Sequence, residues 1–102
     1  MITSQRLQLM ELVLQETPRP SETFVMEAAC ALGTFYHHTG NQNIARLLAK
    51  LVCDQSLQAS NRIHGYLLLL EVIGAPIELF PSNLSTFQLE TEARWDLINQ
   101  FV

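Results

Sequence analysis

The sequence predicts an all-α protein of one domain, and three observations carry that prediction. Apolar residues recur at spacings of three and four through most of the chain, the period of a helix packed on one side. No segment alternates apolar and polar residues between hairpin turns, as the strands of a sheet would. The chain has 102 residues, 48% apolar and 16% charged, which suffices for one core and excludes a disordered chain. So low a charge indicates extensive burial or a face covered by a partner.

Two helices are predicted in the first part of the chain. The first covers about residues 4–15, with Leu9, Leu12 and Val13 on its packed face. Pro18 and Pro20 interrupt it, because proline breaks a helix interior. The second begins at the N-cap Ser21 and stops at Gly40 and Asn41. Its apolar stripe consists of Phe24, Ala28, Leu32, Phe35 and Tyr36.

The third and fourth helices differ in their apolar pattern. The third has a single stripe, formed by Ile44, Leu47, Leu48, Leu51 and Val52, with Arg46 and Lys50 opposite. After a polar turn, the fourth covers about residues 60–73 and is apolar nearly all round. Its faces are formed by Ile63, Tyr66, Leu67, Leu70 and Ile73, and by Gly65, Leu68, Leu69 and Val72. Such a helix must be covered on more than one side, so we expect it at the centre of the domain, where it explains the low charge.

The last part of the chain is predicted to be a loop followed by a helix. Gly74, Pro76 and Pro81 break the helical pattern, and residues 75–88 form an irregular loop. We expect this loop to cover the core with Ile77, Leu79 and Phe80. A final helix over about residues 86–100 turns Ala93, Leu97, Ile98 and Phe101 inward.

A weak internal repeat joins two of these helices. Residues 24–33 and 61–70 are similar at an offset of 37 positions, which superposes Ala28 on Gly65 and Leu32 on Leu69. Small residues at corresponding places allow two helices to approach closely. A period near 40 built from paired helices is typical of an α-solenoid.

Residues 44–74 resemble a HEAT repeat. In the HEAT pattern an Asp occupies the turn and an Arg opens the second helix, and Asp54 and Arg62 match these positions. Gly65 matches the small position of the second helix, and residues 68–69 match its apolar positions. The turn is longer than usual, Asn61 replaces a β-branched residue, and the first copy has Val25 in place of the arginine. The resemblance implies that Asp54 and Arg62 cap the turn or tie neighbouring helices.

The same resemblance implies the architecture and the class of function. The single domain, 1–102, would be a short right-handed stack of about five helices, a HEAT-like α-α superhelix. It is similar to small bacterial single-domain proteins that end in an aromatic and acidic helix, here residues 94–98. The expected function is a non-enzymatic protein–protein interaction module.

The charge pattern excludes some partners. The net charge of −4 arises entirely in residues 52–102, since residues 1–51 sum to zero. Without a basic patch, neither nucleic acid nor an acidic membrane surface is an expected partner. The N-terminus lacks the pattern of a signal peptide, and the most apolar segment, 63–77, contains Glu71 and Pro76 and is too short for a bilayer. We therefore expect a cytoplasmic protein.

The sequence contains no residue pattern that strongly indicates a catalytic or metal site. Adjacent residues such as His37 and His38 point about 100° apart on a helix, so both seldom reach one ion. Cys30 and His37 would stand about 10 Å apart, two turns along one helix. Cys30 and Cys53 are expected to be buried reduced thiols, and the acids Glu90, Glu92 and Asp96 to stabilise the first turns of the last helix. No catalytic residue, metal or cofactor is predicted.

The predicted partner is another protein or a second copy of the chain. The candidate surface residues are Arg46 and Lys50, or Tyr36, His37, His38 and His64, together with Trp95. Trp95 either forms a binding hot spot or, the favoured alternative, closes the core beneath the 75–88 loop. Two other functions stay open. One is an immunity-type protein whose acidic half steers it to a basic toxin, and the other is a small helical enzyme or ligand-binding domain that uses its histidines.

Overall fold

A computed structural model describes residues 4–15 and 21–102, which are largely helical and contain no strand. The elements are α1 Ser4–Gln15, α2 Glu22–Phe35, α3 Gln42–Cys53, α4 Ala59–Ile73, a 3-10 turn Ile77–Leu79, α5 Leu89–Glu92 and α6 Trp95–Ile98. The all-α class is therefore confirmed. The interruption predicted at Pro18 and Pro20 lies outside the described residues.

Local capping defines the helix ends. The side chains of Ser21 and Asn41 each accept the backbone N–H three residues further on, and so begin α2 and α3. Gly74 adopts a left-handed φ of 70° and ends α4. The helix α2 ends at Phe35, earlier than the predicted stop at Gly40, because the chain turns over the next four residues.

The packed face predicted for α1 is wrong. Leu9 and Leu12 are 61% and 53% exposed, whereas Leu7 and Leu14 are buried. Val13 is half-buried. Since α1 carries apolar residues on several sides, its periodicity does not tell which side α2 and α3 cover.

The stripe predicted for α2 is partly wrong, while that of α3 is confirmed. Ala28 and Leu32 are buried as expected, but the rings of Phe24 and Phe35 are about half exposed. Val25, Met26, Ala29 and Gly33 take the buried positions of α2 instead. All five residues of the predicted α3 stripe are buried, and Arg46 and Lys50 are exposed.

The central place of α4 is confirmed. It packs against both α2 and α3, and its face of Gly65, Leu68, Leu69 and Val72 is completely buried. On the other face Tyr66 and Leu70 are buried, and Ile63, Leu67 and Ile73 are half-buried.

Helices α2 and α4 lie side by side and run in the same direction. At their first turns the Glu22 carboxylate accepts hydrogen bonds from the Gln58 backbone and the Asn61 amide, 36 and 39 residues away. At the other end, just beyond α2, the backbone N–H of His38 donates to the carbonyl of Glu71 in the last turn of α4 at 2.7 Å. These contacts join residues 33 to 39 positions apart, close to the 37-residue offset of the sequence repeat.

The predicted last helix is broken in the structure. Ala93 has extended backbone, and Arg94 has φ of −82° and ψ of 80°; both lie outside the helical region, which separates α5 from α6. In a continuous helix the Arg94 N–H would donate four residues back, but it donates to the Tyr66 hydroxyl at 3.0 Å. This tertiary hydrogen bond, together with the Trp95 indole N–H donated to the Leu89 carbonyl, holds two short turns in place of one helix.

The residue by which the 75–88 loop covers the core also differs from the prediction. Ile77 is 77% exposed, and Leu79 and Phe80 are half-buried. The ring that covers α4 is Phe87, which stacks on Tyr66 with 5.8 Å between ring centroids. The predicted inward residues of the last segment are correct, since Ala93 and Ile98 are buried, and Leu97 and Phe101 are half-buried against the core.

Candidate functional site

A groove between α1 and α2 is the first candidate surface. It has a volume of about 250 Å³. Apolar side chains form most of its wall, with one basic and one acidic residue beside them: Arg6, Leu9, Met10, Val13, Phe24, Glu27 and Ala28. Large apolar side chains that stay exposed side by side are typical of an interaction surface. The sequence reasoning missed this groove because it turned Leu9 inward.

A thiol and an imidazole from two different helices form the second candidate. The Cys30 sulfur on α2 lies 3.6 Å from His64 Nε2 on α4. Cys30 is half-buried and His64 is exposed. Burial raises the pKa of the Cys30 thiol. The sequence reasoning compared Cys30 only with His37, although the 37-residue offset places Cys30 within one helical turn of His64.

An apolar depression lies beside this pair. It has a volume of about 330 Å³ and is lined by Ser60, Ile63, His64, Leu67 and Leu84. Leu84 is 51% exposed. The imidazole of His64 therefore borders both the Cys30 sulfur and an apolar surface.

Cys53 is the second free thiol, and its surroundings differ. It is half-buried, and burial raises its pKa while the positive charge of Arg62 opposes that shift. Both cysteines are reduced as expected, but neither is fully buried. Only Cys30 has a hydrogen-bonded imidazole among the described contacts.

The paired histidines do not have the geometry on which the sequence prediction rested. His37 and His38 follow the end of α2 in a turn where His38 has φ of 61°, so the angle between helical neighbours does not apply. Their ring centroids lie 4.5 Å apart, and both side chains are exposed. Tyr36 is half-buried and meets Phe35 edge to face, with 5.0 Å between ring centroids.

The other predicted surface residues are placed as follows. Arg46 and Lys50 are exposed along the outer side of α3. Trp95 is half-buried and packs against the core, and its indole N–H donates to the Leu89 carbonyl at 3.0 Å. This position agrees with the favoured interpretation, in which Trp95 closes the core.

Asp54 and Arg62 have the structural roles that the resemblance implied. Asp54 Oδ1 accepts hydrogen bonds from the backbone and hydroxyl of Ser56, which holds the turn between α3 and α4. The buried Arg62 ties these helices together by donating from Nε to the Val52 carbonyl at 2.7 Å. Its Nη1 pairs with Glu90 Oε1 at 3.0 Å, and this contact anchors α5.

The two arginines of the acidic half, residues 52–102, form ion pairs within the chain. Arg62 pairs with Glu90, and Arg94 pairs with Asp96 at 2.8 Å. The hydrogen bond from Arg94 lowers the pKa of Asp96. Glu78 and Glu92 line a polar depression of about 230 Å³. The acidic surface of this half therefore includes a recess that carries two carboxylates.

Within residues 4–15 and 21–102, no group of three or more His, Cys, Asp or Glu side chains could hold a metal ion. In the same residues, no helix has the length and apolar character that crossing a membrane requires. No family model, curated protein or solved structure matches the chain.

Proposed function

We propose that this chain is a non-enzymatic protein-interaction module that binds its partner through the groove between α1 and α2. The observation that carries the proposal is the exposure of Leu9 and Phe24, which line this groove from two packed helices. A small domain has no folding reason to leave two large apolar side chains together in water, because burying each one would stabilise the folded state.

The shape of this surface favours a helix of the partner. The groove runs between two helices, and its apolar wall is flanked by Arg6 and Glu27. An amphipathic helix inserts apolar side chains at helical spacing into such a groove and keeps its polar face in water. The partner is another protein or, by the same contacts, a second copy of this chain.

A short HEAT-like stack is the architecture that we propose for the module. Its support is the parallel packing of α2 on α4 near the repeat offset, and the position of Asp54 and Arg62 at the turn and between the helices. In stacked helical arrays the terminal repeat must be capped or covered, because its outer side would otherwise expose apolar residues. The outer side of α1 would be such a terminal surface.

Site-specific photocrosslinking in living cells of the native host tests the proposal. A photoreactive residue at position 9 or 24 should give one discrete crosslinked product, identified by mass spectrometry as one protein or as the dimer. The same residue at position 46 or 50, on the exposed side of α3, is the matched control. Discrete products only from the α3 positions would overturn the choice of groove.

The purified complex then provides a quantitative test. Covering the half-exposed ring of Phe24 contributes about 1–2 kcal/mol, so Phe24→Ser should weaken binding about tenfold. Lys50→Ser should leave the affinity unchanged. Unaltered binding by both Leu9→Ser and Phe24→Ser, with the fold retained, would contradict the proposal.

An immunity-type protein is the second candidate, and the acidic recess favours it. Since Arg62 and Arg94 are neutralised internally, the carboxylates of Glu78 and Glu92 give the recess a negative potential that attracts a basic surface. Deletion of the gene should then arrest growth, and removal of a neighbouring toxin gene should restore it. Normal growth of the single deletion, with the neighbouring gene expressed, would exclude this candidate.

A further inference from the structure

The separation of Cys30 and His64 matches the spacing of two ligands on one metal ion. Zinc binds thiolate sulfur at about 2.3 Å and imidazole nitrogen at about 2.0–2.1 Å with tetrahedral angles, which places sulfur and nitrogen about 3.5–3.6 Å apart. The Cys30 sulfur and His64 Nε2 lie 3.6 Å apart. These ligand types are also the ones that zinc prefers.

The packing of the two helices holds this spacing. Hydrogen bonds join α2 and α4 at their first turns through Glu22, and join the turn after α2 to the last turn of α4 through the His38 N–H. Between these ends, Gly33 approaches Leu68 so closely that an added methyl group would meet its side chain. The backbones that carry Cys30 and His64 are therefore anchored on both sides, so little backbone conformational freedom would be lost on binding.

We propose that Cys30 and His64 form half of a zinc site, completed by the same two residues of a second copy. Two ligands leave two positions of a tetrahedral ion open, and the described residues hold no group of three or more metal-binding side chains. A two-fold axis through the ion supplies each ligand twice, and gives the two-cysteine, two-histidine set of structural zinc sites.

The surface beside the pair suits this arrangement. Ile63, Leu67 and Leu84 form the apolar wall of the depression that His64 borders. A second copy brought to the same ion would cover this wall, so apolar contact adds to metal ligation. This interface is separate from the α1–α2 groove.

Zinc binding would be coupled to pH. A thiol must lose its proton to become a zinc ligand, so the metal displaces one proton from each sulfur. Two protons are released to solvent for each ion that joins two chains.

Titration of the reduced full chain with zinc chloride tests the proposal. Calorimetry should give one ion per two chains, and light scattering should show the mass double when zinc is added. Cobalt(II) should give the visible absorption of a tetrahedral thiolate complex. Cys30→Ser and His64→Gln should each weaken binding at least about a hundredfold.

Matched variants isolate the site. Cys53→Ser and the double variant His37→Gln/His38→Gln retain Cys30 and His64, so both should bind zinc as the parent does. His64→Gln changes an exposed side chain, which keeps the test valid if Cys30→Ser fails to fold. Phe24→Ser should also bind zinc normally, which separates this proposal from the α1–α2 groove.

Three results would overturn the proposal. Absence of zinc binding would show that the pair is only a hydrogen bond. One ion bound to a chain that remains monomeric would exclude completion by a second copy. Loss of binding in Cys53→Ser, with Cys30→Ser unaffected, would place the metal elsewhere.

Discussion

Two buried glycines should respond in opposite directions to the same substitution. Gly33 lies on α2 and Gly65 on α4. Alanine in a helix interior is favoured over glycine by about 0.8–1.0 kcal/mol, because glycine loses more backbone freedom on folding. The helical gain is thus similar at both sites, and the space around the new methyl group decides the net effect.

The structure gives that space. A Cβ atom at Gly65 would lie 3.6 Å from Leu51 Cβ and 3.6 Å from Val52 Cγ2, ordinary van der Waals distances. A Cβ atom at Gly33 would lie 2.7 Å from Leu68 Cδ2 and 3.1 Å from Leu68 Cβ. The second distance matters more, because Leu68 Cβ can move only if α4 shifts. Such overpacking costs about 1–3 kcal/mol.

Gly65→Ala should therefore stabilise the protein by about 1 kcal/mol, and Gly33→Ala should destabilise it by about 1 kcal/mol. In a domain of this size, each 1 kcal/mol corresponds to about 4–8 °C in Tm. Urea unfolding followed by circular dichroism, with the slope m unchanged, measures both free energies of unfolding.

A double-mutant cycle identifies the cause. In a Leu68→Ala background the 2.7 Å contact with Cδ2 is removed and the 3.1 Å contact with Cβ remains, so Gly33→Ala should cost less than it does in the parent. Gly65→Ala should have the same effect in both backgrounds. A Gly33→Ala variant at least as stable as Gly65→Ala, or an undiminished cost of Gly33→Ala in the Leu68→Ala background, would refute this explanation.

Three further predictions concern the polar anchors of α4 and the C-terminal turns. Arg62→Ala should cost about 2–4 kcal/mol, because it leaves the α3 carbonyl without its buried donor. Glu90→Ala should cost under about 1 kcal/mol, since the Glu90 side chain is 63% exposed. Equal losses in the free energy of unfolding in urea for Arg62→Ala and Glu90→Ala would contradict this difference. Tyr66→Phe should cost about 1–2 kcal/mol and speed hydrogen exchange at the Arg94 amide, whose acceptor is lost; unchanged exchange would exclude this role. Because Arg94 lowers the pKa of Asp96, the ionised carboxylate stabilises the fold at neutral pH, and this contribution disappears as the pH falls below 3.8. Asp96→Asn should thus have a lower Tm than the parent near neutrality, and the two Tm values should converge in strong acid. A Tm difference that is constant with pH would refute the assignment.

Much of the fold follows from local sequence. The bounds of α1, the N-cap at Ser21 and the buried stripe of α3 agree with the prediction. Each depends on residues within a few positions of one another, through capping and helical periodicity. The central place of α4 follows as well, because a helix that is apolar all round must be covered.

Neither the α1–α2 groove nor the Cys30–His64 pair could be predicted from local sequence. The groove required knowledge of which side of α1 is covered, and leucines on several sides leave that choice to the neighbouring helices. The Cys30–His64 pair joins residues 34 positions apart, and only the register of α2 on α4 brings the atoms together. The repeat offset was the one sequence signal for that register.

The sequence by itself therefore determined the helical class, the bounds of α1 and α4 and the central place of α4, because these follow from the pattern of residues near in the chain. The tertiary structure decided which apolar faces stay exposed, where the last helix breaks and which thiol meets an imidazole. At Arg94 a hydrogen bond to the distant Tyr66 hydroxyl replaces the local helical one. Local helical preference is worth about 0–0.7 kcal/mol per residue, so a tertiary hydrogen bond worth about 0.5–1.5 kcal/mol outweighs it where the two compete.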